Sequence, residues 1–236
     1  MPPHMPPQTS EKPVVHIVDD DESLRLAVDS LCRSVGLRTR AYASAQEFLD
    51  GEREDLAGCL VLDVRLPGIS GLEFQSQLAE LGIRLPVILV TGHGDIPMSV
   101  RAMKAGAVDF LQKPFRDQDL LDAVTAAIER DRLRREADGD AALMRESFLT
   151  LSPREQQVMM LVTAGRMNKQ VAADLGLSEI TVKIHRGAAM RKMGARTLAD
   201  LVRMADGLKP TSPGETAGGH SDRLESLKAW RVRNTA

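Results

Sequence analysis

The chain has 236 residues, 43% of them apolar and 27% charged, with a net charge of −2 and two cysteines. This composition fits a globular protein of two modest domains, at about 100–150 residues each. It excludes a disulfide-built scaffold, and no run approaches the ~18 apolar residues of a membrane span. Cys59 opens an apolar run, where a free thiol behaves as a small hydrophobe, so a reducing, cytoplasmic setting is expected. The opening MPPHMPPQTSEKP has no apolar core segment, and no signal peptide is expected from it.

In chain order, residues 1–13 are Pro-rich and read as disordered. From 14 to 128, short apolar runs alternate with amphipathic stretches, the pattern of a parallel sheet with helices on both faces. Strands are expected at 14–18, 37–42, 59–63, 86–91 and 108–112, with helices near 22–35, 44–50, 70–81, 96–105 and 116–134. Gly36, Gly82 and Gly106 each follow a helical stretch as a stop signal. The expected fold is a five-stranded doubly wound sheet. ERDRLRREADGD continues the last helix, and its dense alternating charge makes residues 129–147 a solvated helical linker. From 148 to 208 the strand signal disappears, leaving an all-α domain: SPREQQVMMLVTAG, NKQVAADLG, SEITVKIHRGAAMRKMG and TLADLVRMA read as short helices. Ser152, Pro153 and Glu155 form a helix start of the capping-box kind. Residues 209–236, which include Trp230, read as a disordered tail.

Charge divides along the same boundary. Residues 14–128 hold 11 Lys and Arg against 18 Asp and Glu, a net of −7, whereas residues 148–208 hold 9 against 5, a net of +4. An acidic module joined to a basic one fits a regulated nucleic-acid binder.

Four of the expected strands end in polar residues that carry chemistry: Asp19 and Asp20 after VVHIV, Asp63 after CLVL, Thr91 after PVILV and Lys113 after DFLQ. Open α/β sheets gather ligands at the carboxyl ends of their strands, so these five side chains should converge. Three carboxylates at one edge repel one another and call for a cation. Mg²⁺ is the hard ion that binds carboxylates together with phosphate oxygens. Beside it, the Lys113 ammonium and Thr91 hydroxyl suit a phosphoryl group, with Asp63 as nucleophile. An acidic triplet alone is ordinarily a solvated loop; the joint set is what points to phosphoryl chemistry. Phosphatases with an aspartyl nucleophile place a second carboxylate two residues on. Here that position is Arg65, which cannot take a proton.

These residues carry a resemblance. Residues 14–134 resemble the receiver domain of two-component response regulators, through VDDDE, DVRLPGISG and TGHGDIPMSVRAMKAGAVDFLQKPF. The spacings agree: 43 from Asp20 to Asp63, 28 to Thr91 and 22 to Lys113. The TGHGDIPM and QKPF wording is similar to the FixJ branch. The resemblance implies a sheet order of 2-1-3-4-5. It also implies Asp63 as phosphoacceptor, Mg²⁺ on Asp19, Asp20, Asp63 and the Arg65 carbonyl, Thr91 and Phe110 as switch residues, and a cis bond before Pro114. Implied partners are a sensor histidine kinase and, on phosphorylation, a second copy of the chain. The protein would catalyse its own phosphorylation and dephosphorylation without being an enzyme on outside substrates.

NKQVAADLG and LSEITVKIHRGAAMRKM read as two helices joined at Gly176, with Val171, Ala172, Leu175, Leu177, Val182 and Met190 facing inward. Ser178 can cap the second helix, while Thr181, Lys183, His185, Arg186, Arg191 and Lys192 are expected outside. The whole LSPRE to RMA stretch is similar to the LuxR/FixJ-type DNA-binding domain. That resemblance implies promoter DNA as ligand, with Thr181, Lys183, Ile184 and Arg186 toward the groove and Asn168, Lys169 and His185 on phosphates or in support. Gly187 departs from relatives that carry a second groove-facing lysine there. The function implied is a phosphorylation-dependent transcriptional regulator, with activation the expected direction and RNA polymerase left open as a partner. The alternative is an adaptor whose helical domain binds protein.

Overall fold

The computed structural model describes residues 12–51, 56–92 and 96–208; the expected disordered segment up to residue 11 and the tail with Trp230 lie outside them. The chain divides into two compact units between Arg134 and Arg135. In the first, β1 (Val14–Val18), β2 (Arg38–Tyr42), β3 (Gly58–Asp63), β4 (Val87–Thr91) and β5 (Asp109–Gln112) form one sheet in the order β2-β1-β3-β4-β5. Every pairing is parallel. The expected strands therefore stand, each within a residue of its expected bounds.

Alternation across the pleat builds two cores. Val18, Leu60, Leu62, Val87 and Leu89 face Phe48 and Leu49 of α2 (Ala45–Asp50), Phe74 and Leu78 of α3 (Gly71–Leu78), and Ala102 of α4 (Ile96–Lys104). Val15, Ile17, Val61, Ile88 and Val90 face Val28 and Cys32 of α1 (Glu22–Ser34) and Leu120, Val124 and Ala127 of α5 (Asp117–Leu149). Both cysteines are buried and free, and burial pushes their thiols up, Cys32 to about 11 and Cys59 to about 12. They are core residues held as thiols.

One helix is shorter than expected, and another continues through the linker as the sequence implies. α3 stops at Leu78, short of 81, because Ile83 N–H turns back to the Leu78 carbonyl around Gly82, whose φ is 68°. α5 is a single 33-residue helix that absorbs the charged linker. Its Asp131 is buried, accepts the Gly58 N–H at 3.0 Å and pairs with Arg134, which ties the helix to the start of β3.

One buried ring makes the first unit pH-sensitive. His16 is stacked on Tyr42, with Nδ1 3.3 Å from its hydroxyl, and meets the edge of Phe48. Burial first, and then the nearby Arg40 charge, lowers the imidazole from 6.5 to about 4. The native form is thus neutral: its contribution is complete above pH 6.5 and is lost as pH falls toward 4. A loss on the order of 2–3 kcal/mol is expected across that window. Denaturant midpoints measured over it should fall for the natural chain and stay flatter for His16→Phe.

The second unit is helical: α6 (Pro153–Thr163), α7 (Asn168–Leu175), α8 (Glu179–Met193) and α9 (Leu198–Gly207) follow the end of α5. The Ser152–Glu155 capping box forms as the sequence implies. α6 serves two cores at once: Met159 packs with Ala189, Met193 and Leu201, while Val158 and Val162 pack with Val171, Ala172 and Val182. Among the described residues, no helix is long and apolar enough to cross a membrane.

Candidate functional site

The parallel register delivers the strand-end residues to one edge of the sheet. Val18 stands opposite Leu62, Asp63 opposite Val90, and Thr91 opposite Gln112. Asp19, Asp20 and Asp63 each bring a carboxylate oxygen within 4.8 Å of the others. Asp19 and Asp63 are buried and Asp20 is exposed. Lys113 reaches in from beyond β5, its Nζ 2.6 Å from Asp19 Oδ2 and 3.0 Å from Asp63 Oδ1. The Lys113 N–H donates to the Thr91 carbonyl at 2.7 Å, which ties the end of β5 to β4 beside the acids, and the following peptide bond to Pro114 is cis. Asp21, the third acid of the triplet, belongs elsewhere: it caps α1 by accepting from Ser23 and Leu24 N–H.

Charge in the cluster is out of balance. Burial, and then the Asp19 charge, holds the Asp63 carboxyl above the usual range despite its bond to Lys113. Burial alone would lower Lys113, but its bonds to Asp19 and Asp63 raise it. One ammonium thus pairs with two carboxylates of a cluster of three. A hard divalent cation fits this donor set of oxygens, and Mg²⁺ is the ion that shares carboxylates with phosphate. The residues able to hold it are Asp19, Asp20 and Asp63. Arg65 is exposed, and its N–H donates to Asp63 Oδ2 at 3.1 Å. Thr91 is fully buried at the end of β4, and Phe110 is half-buried on β5 against the core that includes Leu89 and Ala102.

In the helical unit, Gly176 takes the left-handed conformation (φ 64°) that ends α7, and Ser178 caps α8 by accepting from Thr181 N–H. Lys183, Ile184 and Arg191 are exposed. Three residues expected outside are half-buried instead: Thr181, whose hydroxyl lies 2.8 Å from that of Ser178; His185; and Arg186, which donates to Asn168 Oδ1 at 3.3 Å. Positions 182, 186 and 189 share the inward side of α8, so Arg186 braces α7 from there. Lys192 is similarly engaged, with Nζ 2.7 Å from Glu155 Oε2. Lys169 remains exposed on α7.

Comparison with known proteins decides the family. The response regulator receiver domain family matches residues 15–125, and the luxR family of bacterial regulatory proteins matches residues 149–205. Nodulation protein W of Bradyrhizobium diazoefficiens is 62% identical over 201 residues, covering 85% of this chain and 88% of that protein. The chain belongs to the response regulators with a LuxR-type DNA-binding domain.

Two further relatives place the regulator. Transcriptional regulatory protein FixJ of Rhizobium meliloti is 45% identical, covering 81% of this chain and 94% of that protein. A solved structure of the response regulator StyR is 46% identical with a TM-score of 0.71, covering 83% of this chain and 98% of that one. The luxR match assigns the helical unit to DNA binding, and nothing among the described residues favours the protein-binding alternative.

Two residues at the regulator's acidic site escape a reading by strand ends. Arg25 of α1 donates to the Asp19 carbonyl at 2.6 Å and so steadies the turn that carries the acids. Its only sequence signal is a cation one helical turn beyond the Asp21 cap. Gly71 opens α3 against Asp63, where an added Cβ would lie 2.1 Å from the Asp63 carbonyl oxygen. A glycine directly after the capping Ser70 hinted at a close approach but not at its partner.

Proposed function

We propose that this response regulator accepts a phosphoryl group on Asp63 from a sensor histidine kinase, and that the acyl phosphate raises DNA binding by the helical unit. The observation that carries the reading is the Asp63 carboxylate, buried beside Asp19 with Lys113 Nζ 3.0 Å from it. An Asp63 oxygen attacks phosphorus while the bond from phosphorus to the donor nitrogen breaks, and the imidazole leaves with a proton. Lys113 stabilises charge on the moving phosphoryl oxygens, and the Thr91 hydroxyl turns toward one of them. Asp19, Asp20, Asp63 and the Arg65 carbonyl would hold Mg²⁺, which when bound supplies positive charge to the same oxygens. The same residues serve the return reaction with water, so the regulator catalyses its own phosphorylation and dephosphorylation.

Thr91 and Phe110 then carry the signal. Movement of Thr91 lets the half-buried Phe110 ring turn inward, which reshapes the surface of α4, β5 and α5 so that two copies pair. Thr181, Lys183, Ile184 and Arg186 serve the groove, Arg186 through its bond to Asn168. Lys169 and His185 serve the phosphates. The domain boundaries proposed are 14–128 for the receiver, 129–147 for the linker and 148–208 for the DNA-binding domain. The protein acts in the cytoplasm on promoter DNA and activates transcription, with RNA polymerase as a candidate partner.

Incubating the full chain with a small acyl-phosphate donor and Mg²⁺ is expected to add one phosphoryl group, seen by intact mass and removed by hydroxylamine. A chelator should prevent the addition. Hydroxylamine-stable label, or uptake indifferent to the chelator, would contradict the reading.

A further inference from the structure

The exposed line of α8 carries two large apolar side chains where a solvated helix would place polar ones. Ile180 is 71% exposed and Ile184 is 63% exposed, one helical turn apart, whereas Val182, Ala189 and Met193 on the opposite side are buried. The next position along the line is Gly187, where an added Cβ would meet nothing closer than Arg191 Nη1 at 3.6 Å. The line therefore reads as a ridge of two isoleucines, a notch, and a cation. Arg191, the cation that ends this line, is exposed and suits a phosphate at the edge of an apolar contact.

Resting on the DNA-binding reading of this helix, we propose that Ile180 and Ile184 determine sequence specificity by packing on thymine methyl groups in the major groove. Isoleucine neither donates nor accepts a hydrogen bond, so it cannot read the polar edges of guanine, adenine or cytosine. The C5-methyl of thymine is the apolar group that the major groove displays. The notch at Gly187 lets the helix approach until the ridge touches it. Where other DNA-reading helices depend on bidentate polar side chains, this one discriminates by shape and desolvation at its first two turns.

The test uses the phosphorylated full-length protein. Duplexes that bind are enriched from a randomised pool, and the enriched duplex is rebuilt with deoxyuridine in place of thymidine, one position at a time. Deoxyuridine pairs identically and lacks only the methyl. Affinity is expected to fall about fourfold at each contacted thymine, the effect of one buried methyl group. Ile180→Ala and Ile184→Ala should each bind the thymidine and deoxyuridine duplexes equally at the position they contact. Both isoleucines are exposed, so thermal unfolding should be unchanged. Equal binding of all rebuilt duplexes by the natural chain, or discrimination that survives in both variants, overturns the inference and leaves DNA binding standing. A pool that fails to enrich overturns DNA-sequence recognition itself, and the inference with it.

Discussion

Asp63→Asn is expected to lose all phosphoryl uptake from a small phosphodonor while keeping its fold. An amide oxygen is a far weaker nucleophile than a carboxylate, and no neighbour can replace it. Asp19 is committed, its Oδ2 to Lys113 at 2.6 Å and its Oδ1 to the Asp21 N–H at 2.9 Å, while Asp20 is exposed at the rim. Stability should change little, because two effects oppose. The variant forfeits the 3.0 Å pair with Lys113, but it removes a charge that burial and Asp19 already disfavour. The thermal midpoint should stay within the few degrees that about 1 kcal/mol produces. Intact mass and a thermal melt on the same sample check both halves. Undiminished labelling of the variant would move the phosphoacceptor elsewhere.

Gly71→Val should damage fold and site together. An added Cβ would lie 2.1 Å from the Asp63 carbonyl oxygen and 3.0 Å from Val64 Cα, both main-chain atoms that cannot swing aside. The same junction is held by Gly71 N–H donating to the Val64 carbonyl at 2.9 Å and by the bridge between Arg65 and Ser70. Relief therefore requires the β3–α3 turn to move, and Asp63 moves with it. A cost of roughly 3 kcal/mol is expected, lowering the midpoint by ~10 °C, with phosphoryl uptake reduced in the molecules that remain folded. Gly71→Ala should share the direction, since the clash arises at Cβ. Gly139→Ala is the contrast: it lies in α5 with open space around it and should stabilise slightly.

Legibility in the sequence followed how local each signal is. VVHIV, CLVL and PVILV are continuous apolar runs because their strands are buried on both faces, and such runs bounded by polar residues announce a central parallel sheet. RTRAY is an edge strand with mixed burial, recognised less from its own residues than from its place between two helices. The five strand-end residues were readable because the topology itself sends strand ends to one place. Partners across the fold were not. Arg25 reaches a carbonyl, Arg186 turns to Asn168, and Lys192 pairs with Glu155, and each choice depends on helix rotation that periodicity leaves loose by a residue. The Thr181 hydroxyl lies against the Ser178 cap, a partner that spacing alone does not assign. The exposed Ile180 was in plain view, yet an isoleucine beside Val182 reads as core when only hydropathy is counted.

An acidic unit that brings Asp19, Asp20 and Asp63 together, followed in the chain by a basic helical unit, suits the proposed logic in which chemistry on Asp63 is reported as occupancy of DNA. The direct measurement is the affinity of the full chain for an enriched duplex with and without a small phosphodonor and Mg²⁺, run beside Asp63→Asn. The natural chain should bind more tightly once phosphorylated, and the variant should show the same affinity in both conditions. Equal tightening in the variant, or no tightening in a natural chain shown by mass to carry the acyl phosphate, would contradict control of DNA binding through Asp63.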